Sequence, residues 1–172
     1  MPRLPALFAD TVVLSNFSLA GRLDVLLTRY ARRLRATPQV VEELLAGVQA
    51  GHAALEEVVR QVRTSVIRTV AVPLDHLAVY QDLRRTLGAG EASAIVVART
   101  QGGIVATDDM AARQACARLA VRVTGTIGIL LAAVRDGAIS LPEAERALAD
   151  MVRHGFYSPV RRLADVMGAA PP

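Results

Sequence analysis

Short apolar runs alternate along the chain with longer stretches whose apolar residues recur at helical spacing. The runs at 5–10 (PALFAD), 34–37, 66–72 (VIRTVAV), 104–107 and 121–124 read as strands. The periodic stretches predict helices over 11–19, 24–33, 38–50, 52–64, 74–87, 91–101, 110–119, 127–135, 142–154 and 160–167. Local punctuation agrees with these bounds. Thr37-Pro38 offers an N-cap followed by proline at the first helical position. Ser140 with Glu143 three residues on forms a capping-box pattern. Gly21, Gly51, the Gly88-Ala89-Gly90 turn, Gly102-Gly103 and Gly137 separate the elements, and residues 168–172 read as a loose tail. Strands alternating with helices predict an α/β fold with a short, mainly parallel central sheet wrapped by helices. No repeat or linker divides the chain. It reads as a single domain over residues 1–172, its helical C-terminal part (about 141–168) packed on the rest.

Composition narrows the chemistry. The chain is 52% hydrophobic but only 3% aromatic, so the core is aliphatic. With a mean hydropathy of +0.34, some apolar surface is expected to meet a partner, most simply in a homodimer. Net charge is +4, and all 20 basic residues are arginine. Without lysine there is no Schiff-base chemistry, no Walker A motif and no ordinary kinase or phosphoryl-accepting regulatory site. Cys116 is the only cysteine, which excludes an internal disulfide and a cysteine zinc cluster. It reads as a buried small hydrophobe. His52, His76 and His154 are too far apart in sequence to form a ligand-pair motif. The apolar run in residues 1–20 is cut by Asp10, and the stretch 127–134 is too short to span a bilayer. A cytoplasmic location away from membranes is the expectation.

Carboxylates are left as the workers. In a parallel sheet, chemistry gathers where the strands end. Asp10 ends the first strand, and Asp108 and Asp109 follow the strand at 104–107. Glu43 (in TPQVVEEL) and Glu91 (in GEASAI) sit in the first turns of helices that start near the same edge. Each acid alone suits a helix cap or a dipole partner. Taken as a set, they repel one another unless a cation joins them. A hard divalent ion, Mg²⁺ or Mn²⁺, meets that need.

The segments DTVVLSNF (10–17), TPQVVEEL (37–44), LGAGEASAI (87–95) and IVATDDMAAR (104–113) resemble those of PIN-domain proteins related to the VapC toxin ribonucleases. TGTIGILLAAVRDGAI (124–139) and HGFYSP (154–159) resemble one subgroup of them. The resemblance implies metal-dependent endoribonuclease cleavage of RNA, by the toxin of a toxin–antitoxin pair whose antitoxin is a protein. Residue by residue, it implies catalytic roles for Asp10, Glu43, Glu91 and Asp109. The ion would be held by Asp10, Glu91 and Asp109, with Asp108 a close alternate, and Glu43 would order a water. Thr107 and Ser15 or Asn16 would hydrogen-bond the cluster. Val12 departs from the small polar residue that many relatives carry there. The alternative is a catalytically silent PIN-like module that binds nucleic acid or protein. Arg29, Arg32, Arg33 and Arg35 surround Tyr30 in the densest basic run, read either as a grip on RNA phosphates or as a solvated helix end.

Overall fold

The computed structural model describes residues 4–168. Its sheet has the strand order β3-β2-β1-β4-β5, and every pairing is parallel. The strands are β1 (Leu7–Ala9), β2 (Leu34–Ala36), β3 (Arg68–Thr69), β4 (Ile104–Ala106) and β5 (Arg122–Thr124). Side chains alternate between two cores, as the period of two requires. Leu7, Ala9 and Ala106 face one core, while Phe8 and Val105 face the other.

The first core is closed by α1 (Thr11–Leu19), α2 (Leu23–Tyr30), α3 (Pro38–Gln49), α4 (Leu55–Arg63), α8 (Thr126–Arg135) and α9 (Leu141–Arg153). The second is closed by α5 (Leu77–Leu83), α6 (Ala89–Gln101) and α7 (Met110–Arg118). In α6 every residue from 92 to 98 is buried, because the helix has β1 and β4, α3, α5 and α7 around it. The C-terminal helix α9 packs on α1 and α8. Among the described residues no helix is long and apolar enough to cross a membrane.

Several bounds differ from the pattern reading. The strand expected at 66–72 keeps only Arg68 and Thr69, because the amides of Val66 and Ile67 both bond back to Gln61 O at the end of α4. The helix expected at 24–33 ends at Tyr30, where Ala31 takes a positive φ of 39° and a 3₁₀ turn follows. The 74–87 helix splits into a 3₁₀ turn (Leu74–His76) and α5. The helix expected at 160–167 is only the 3₁₀ turn Leu163–Asp165. Gly168 apart, the expected loose tail at 168–172 lies outside the described residues, as do residues 1–3.

Candidate functional site

At the end of β1 the chain turns straight into α1, with Asp10 as the N-cap. Its amide donates to Ala106 O (3.0 Å), and its Oδ1 accepts from Val13 N (2.8 Å). The side chain is 1% exposed, and its second oxygen, Oδ2, has no hydrogen-bond partner. Burial pushes the carboxyl up to about 7, and the negative charges of Asp108 and Glu91 add to the rise. The Thr107 hydroxyl and the Val13 amide act against it.

Glu43 lies in the second turn of α3, not the first turn expected, and is held at both oxygens. Oε1 accepts from Gly90 N (2.8 Å) and Oε2 from the Thr11 hydroxyl. Gly90 lets the two helices approach this closely, since a Cβ there would lie 2.6 Å from Glu43 Oε2. Glu91 stands at the third position of α6, which begins two residues earlier than expected, at Ala89. Its Oε2 accepts from Gly88 N (2.9 Å), one half of a capping box whose other half glycine lacks. Burial raises the Glu91 pKa, and Asp109 and Glu43 raise it further, against the Gly88 amide. Asp10, Thr11, Val12, Glu43, Gly88 and Glu91 line a cleft of about 110 Å³. Val12, 49% exposed, forms part of its mouth. A larger groove of about 440 Å³, lined by α3 and α4 residues, contains none of these acids.

The two aspartates after β4 have separate partners. Asp109 caps α7, its Oδ1 accepting from Ala112 N (2.7 Å), while its own amide donates to Thr107 Oγ1 (3.2 Å). Asp108 instead reaches the start of α8. Its Oδ1 accepts from Thr126 N (2.8 Å), and its Oδ2 accepts from Thr126 Oγ1 (2.5 Å) and Asn16 Nδ2 (3.3 Å). Of the two polar candidates on α1, Asn16 therefore reaches the cluster. Ser15 does not, because its hydroxyl donates to Thr11 O (2.7 Å) within its own helix.

Thr11, Thr126 and Arg113 belong to the site but were not singled out from sequence. Arg113 Nη1 donates to Thr107 O (3.1 Å) and Thr124 O (3.2 Å), joining the ends of β4 and β5. Gly125 fits beneath, where a Cβ would lie 2.5 Å from Asp108 Oδ1. No motif flags these residues, because Thr126 and Arg113 act only where β4 and β5 are neighbours and Thr11 only where α1 meets α3. Arg32, Arg33 and Arg35 are not brought to the acids. Arg33 Nη1 bonds Pro5 O (3.0 Å), before β1, and Arg35 Nη1 bonds Arg32 O and Leu34 O. Arg32 and Arg33 sit in the 3₁₀ turn before β2, and Arg35 lies mid-strand in β2, level with Phe8 and Arg68.

A family model described as PIN domain matches residues 6–170. The chain is a PIN-domain protein. No curated protein matches it. The PIN domain is a nuclease-type fold that typically uses divalent metal ions. In this PIN domain, the orphaned Oδ2 of buried Asp10, with like charges beside it, fits a hard cation. No three acidic, histidine or cysteine side chains among the described residues are grouped to hold one ion as they stand. Ligation by three carboxylates of this PIN domain therefore calls for side-chain rotation.

Proposed function

We propose that this PIN domain is a metal-dependent endoribonuclease acting on RNA phosphodiester bonds in the cytoplasm, as the toxin of a toxin–antitoxin pair with a protein antitoxin. The observation that carries the reading is the buried Asp10 carboxyl, whose free oxygen sits in the field of Asp108 and Glu91. A charge so placed is costly without a cation.

In this reading Asp10, Glu91 and Asp109 hold Mg²⁺ or Mn²⁺, with Asp108 as alternate. Such an ion, when bound, supplies Lewis acidity toward water and toward a phosphodiester oxygen. Asp10 needs no capping amide on Oδ2 and presents that oxygen as a ligand. Glu43, fixed by Gly90 and Thr11, keeps lone pairs free to orient a water. Thr107 and Asn16 hold Asp109 and Asp108 by hydrogen bonds. Asp109 and Glu91 each spend one oxygen on a helix start, which leaves the other for the ion.

The second reading, a silent PIN-like binding module, is favoured by Val12 at the cleft mouth and by the absence of a closed three-acid group among the described residues. One assay separates the two. Purified protein is expected to cleave RNA with Mn²⁺ or Mg²⁺ and not with EDTA, and Asp10→Asn is expected to reduce the rate at least about a hundredfold. Cleavage that ignores EDTA, or full activity in Asp10→Asn, overturns the nuclease site. No cleavage under any metal leaves the binding module.

A further inference from the structure

Away from the acidic cleft, α3 and α4 bound the groove of about 440 Å³. Leu45 and Val48 of α3 and Val59 of α4 give it apolar walls. Leu45 and Val48 pack on the first core yet stay only half-buried. Glu56, Arg60 and Arg63 of α4 rim it. Apolar walls with a charged rim are the anatomy of an interface, and a groove between two helices takes the ridge of a third.

The charges of α4 narrow down what fills it. Glu56 stands in the first turn and Arg63 in the last. They are seven residues apart, two helical turns, so both lie on one face of α4, with Val59 and Arg60 between them. Both are exposed, and among the described residues neither has an ion-pair partner. Arg60 pairs instead with Glu57 of its own helix, at 2.6 Å. Helices α2, α6 and α9 also begin with an acid and end with an arginine. Their acids are already engaged, Asp24 by Arg22, Glu91 by the Gly88 amide and Glu143 by Ser140.

We propose that the groove between α3 and α4 docks a second copy of this chain, in a twofold contact whose two α4 helices run antiparallel. A twofold contact is self-complementary, so setting Glu56 against the second copy's Arg63 also sets Arg63 against its Glu56. Val59 and Arg60, midway between, fall at the axis. Each α4 then lies along the apolar walls of the other copy's groove. The open acid and the open arginine are thereby matched by one another, and no other protein has to supply their complement. The face is two helices wide, about 20 Å by 14–18 Å. That is small for a specific interface, so the dimer is expected to exchange in the micromolar range. Glu43 leaves α3 on the opposite side, toward Gly90 of α6, and the contact keeps the acidic cleft open.

Sedimentation velocity of the whole chain, between about 1 and 100 µM, reads the dimer directly. Glu56→Arg and Arg63→Glu each set like charges against each other on both sides of the axis. Each is expected to weaken association about tenfold or more, and less at high salt. The double variant restores both pairs with reversed sign and is expected to dimerise as wild type does. It opposes the α4 dipole at both ends, so a weakened helix would make it the worst of the three. An equimolar mixture of the two single variants is expected to form a mixed dimer of wild-type strength, because it joins two arginines to two glutamates. A wild type that stays monomeric throughout overturns the proposal and leaves the groove to a different partner. A dimer of equal strength in wild type and both single variants overturns it too, as does a double variant no stronger than the single ones.

Discussion

Asp10 shows how one residue serves two ends. Its Oδ1 caps α1, an ordinary structural task, while Oδ2 remains buried and unpaired. The free oxygen makes the metal-free protein sensitive to pH. Unfolded, the carboxyl ionises near its ordinary value of 3.8; folded, it holds its proton to about 7. Between those values the native state binds the extra proton, so stability falls as pH rises and levels off above 7. The loss is on the order of 2–4 kcal/mol. Melting in EDTA is expected to drop by several degrees from pH 4.5 to pH 8, and Asp10→Asn to flatten that slope. Mn²⁺ at pH 8 is expected to restore wild type by roughly 2–10 °C and to leave the variant unmoved. A wild type that melts alike at both pH values speaks against a buried, strained carboxyl. Asp10 and Glu91 were legible from sequence because an acid beside a strand end or helix start leaves a local mark. Asp108 and Asp109 were legible only as an interchangeable pair. Their division of labour depends on α8 meeting β4, a contact 18 residues distant in sequence.

At the scale of elements, the site is a meeting of helix beginnings. Asp10, Thr37 and Asp109 cap α1, α3 and α7 at the same edge. The start of α3 is tied to α6 by a buried bond. The hydroxyls of Thr37 and Ser93 lie 2.7 Å apart, and Ser93 also reaches Gly90 O (2.9 Å). This link sets the distance between α3, which carries Glu43, and α6, which carries Glu91. Ser93→Ala leaves the Thr37 hydroxyl only the Val40 amide and is expected to cost about 0.5–1.5 kcal/mol, seen in denaturant melts. Thr37→Val is expected to show non-additive coupling with it in a double-mutant cycle. Strict additivity would mean the two helices are positioned by packing alone. The helices that the pattern placed best, 11–19 and 38–50, carry their own caps. Those it misplaced, 74–87 and 160–167, lack a side-chain cap at their start.

Across the whole molecule, the parallel topology sorts charge. Helix starts bring Asp10, Glu91 and Asp109 to the carboxyl edge, while the last turns of α2, α4, α6 and α7 carry Arg29, Arg63, Arg99 and Arg118. Apolar surface remains as well. Leu74 (84% exposed) and Met110 (67%) are large hydrophobics in solvent. Together with the overall hydropathy, they lead us to expect a homodimer, measurable by light scattering at micromolar concentration. A strict monomer there would assign that surface to a different partner.

The sequence by itself determined the order of elements, the parallel α/β class, the aliphatic core and the positions of the acids. Each follows from period, turn residues and composition, which act over a few residues. Tertiary structure alone decided which acids share a field and that Ser15 turns inward to its helix while Asn16 reaches Asp108. It also decided that Arg113 and Thr126 join the site, and that Arg33 and Arg35 turn to backbone carbonyls away from it. Those facts depend on which strands are neighbours and which way each is crossed. A parallel sheet fixes that only once hydrogen bonds between segments far apart in the chain have formed.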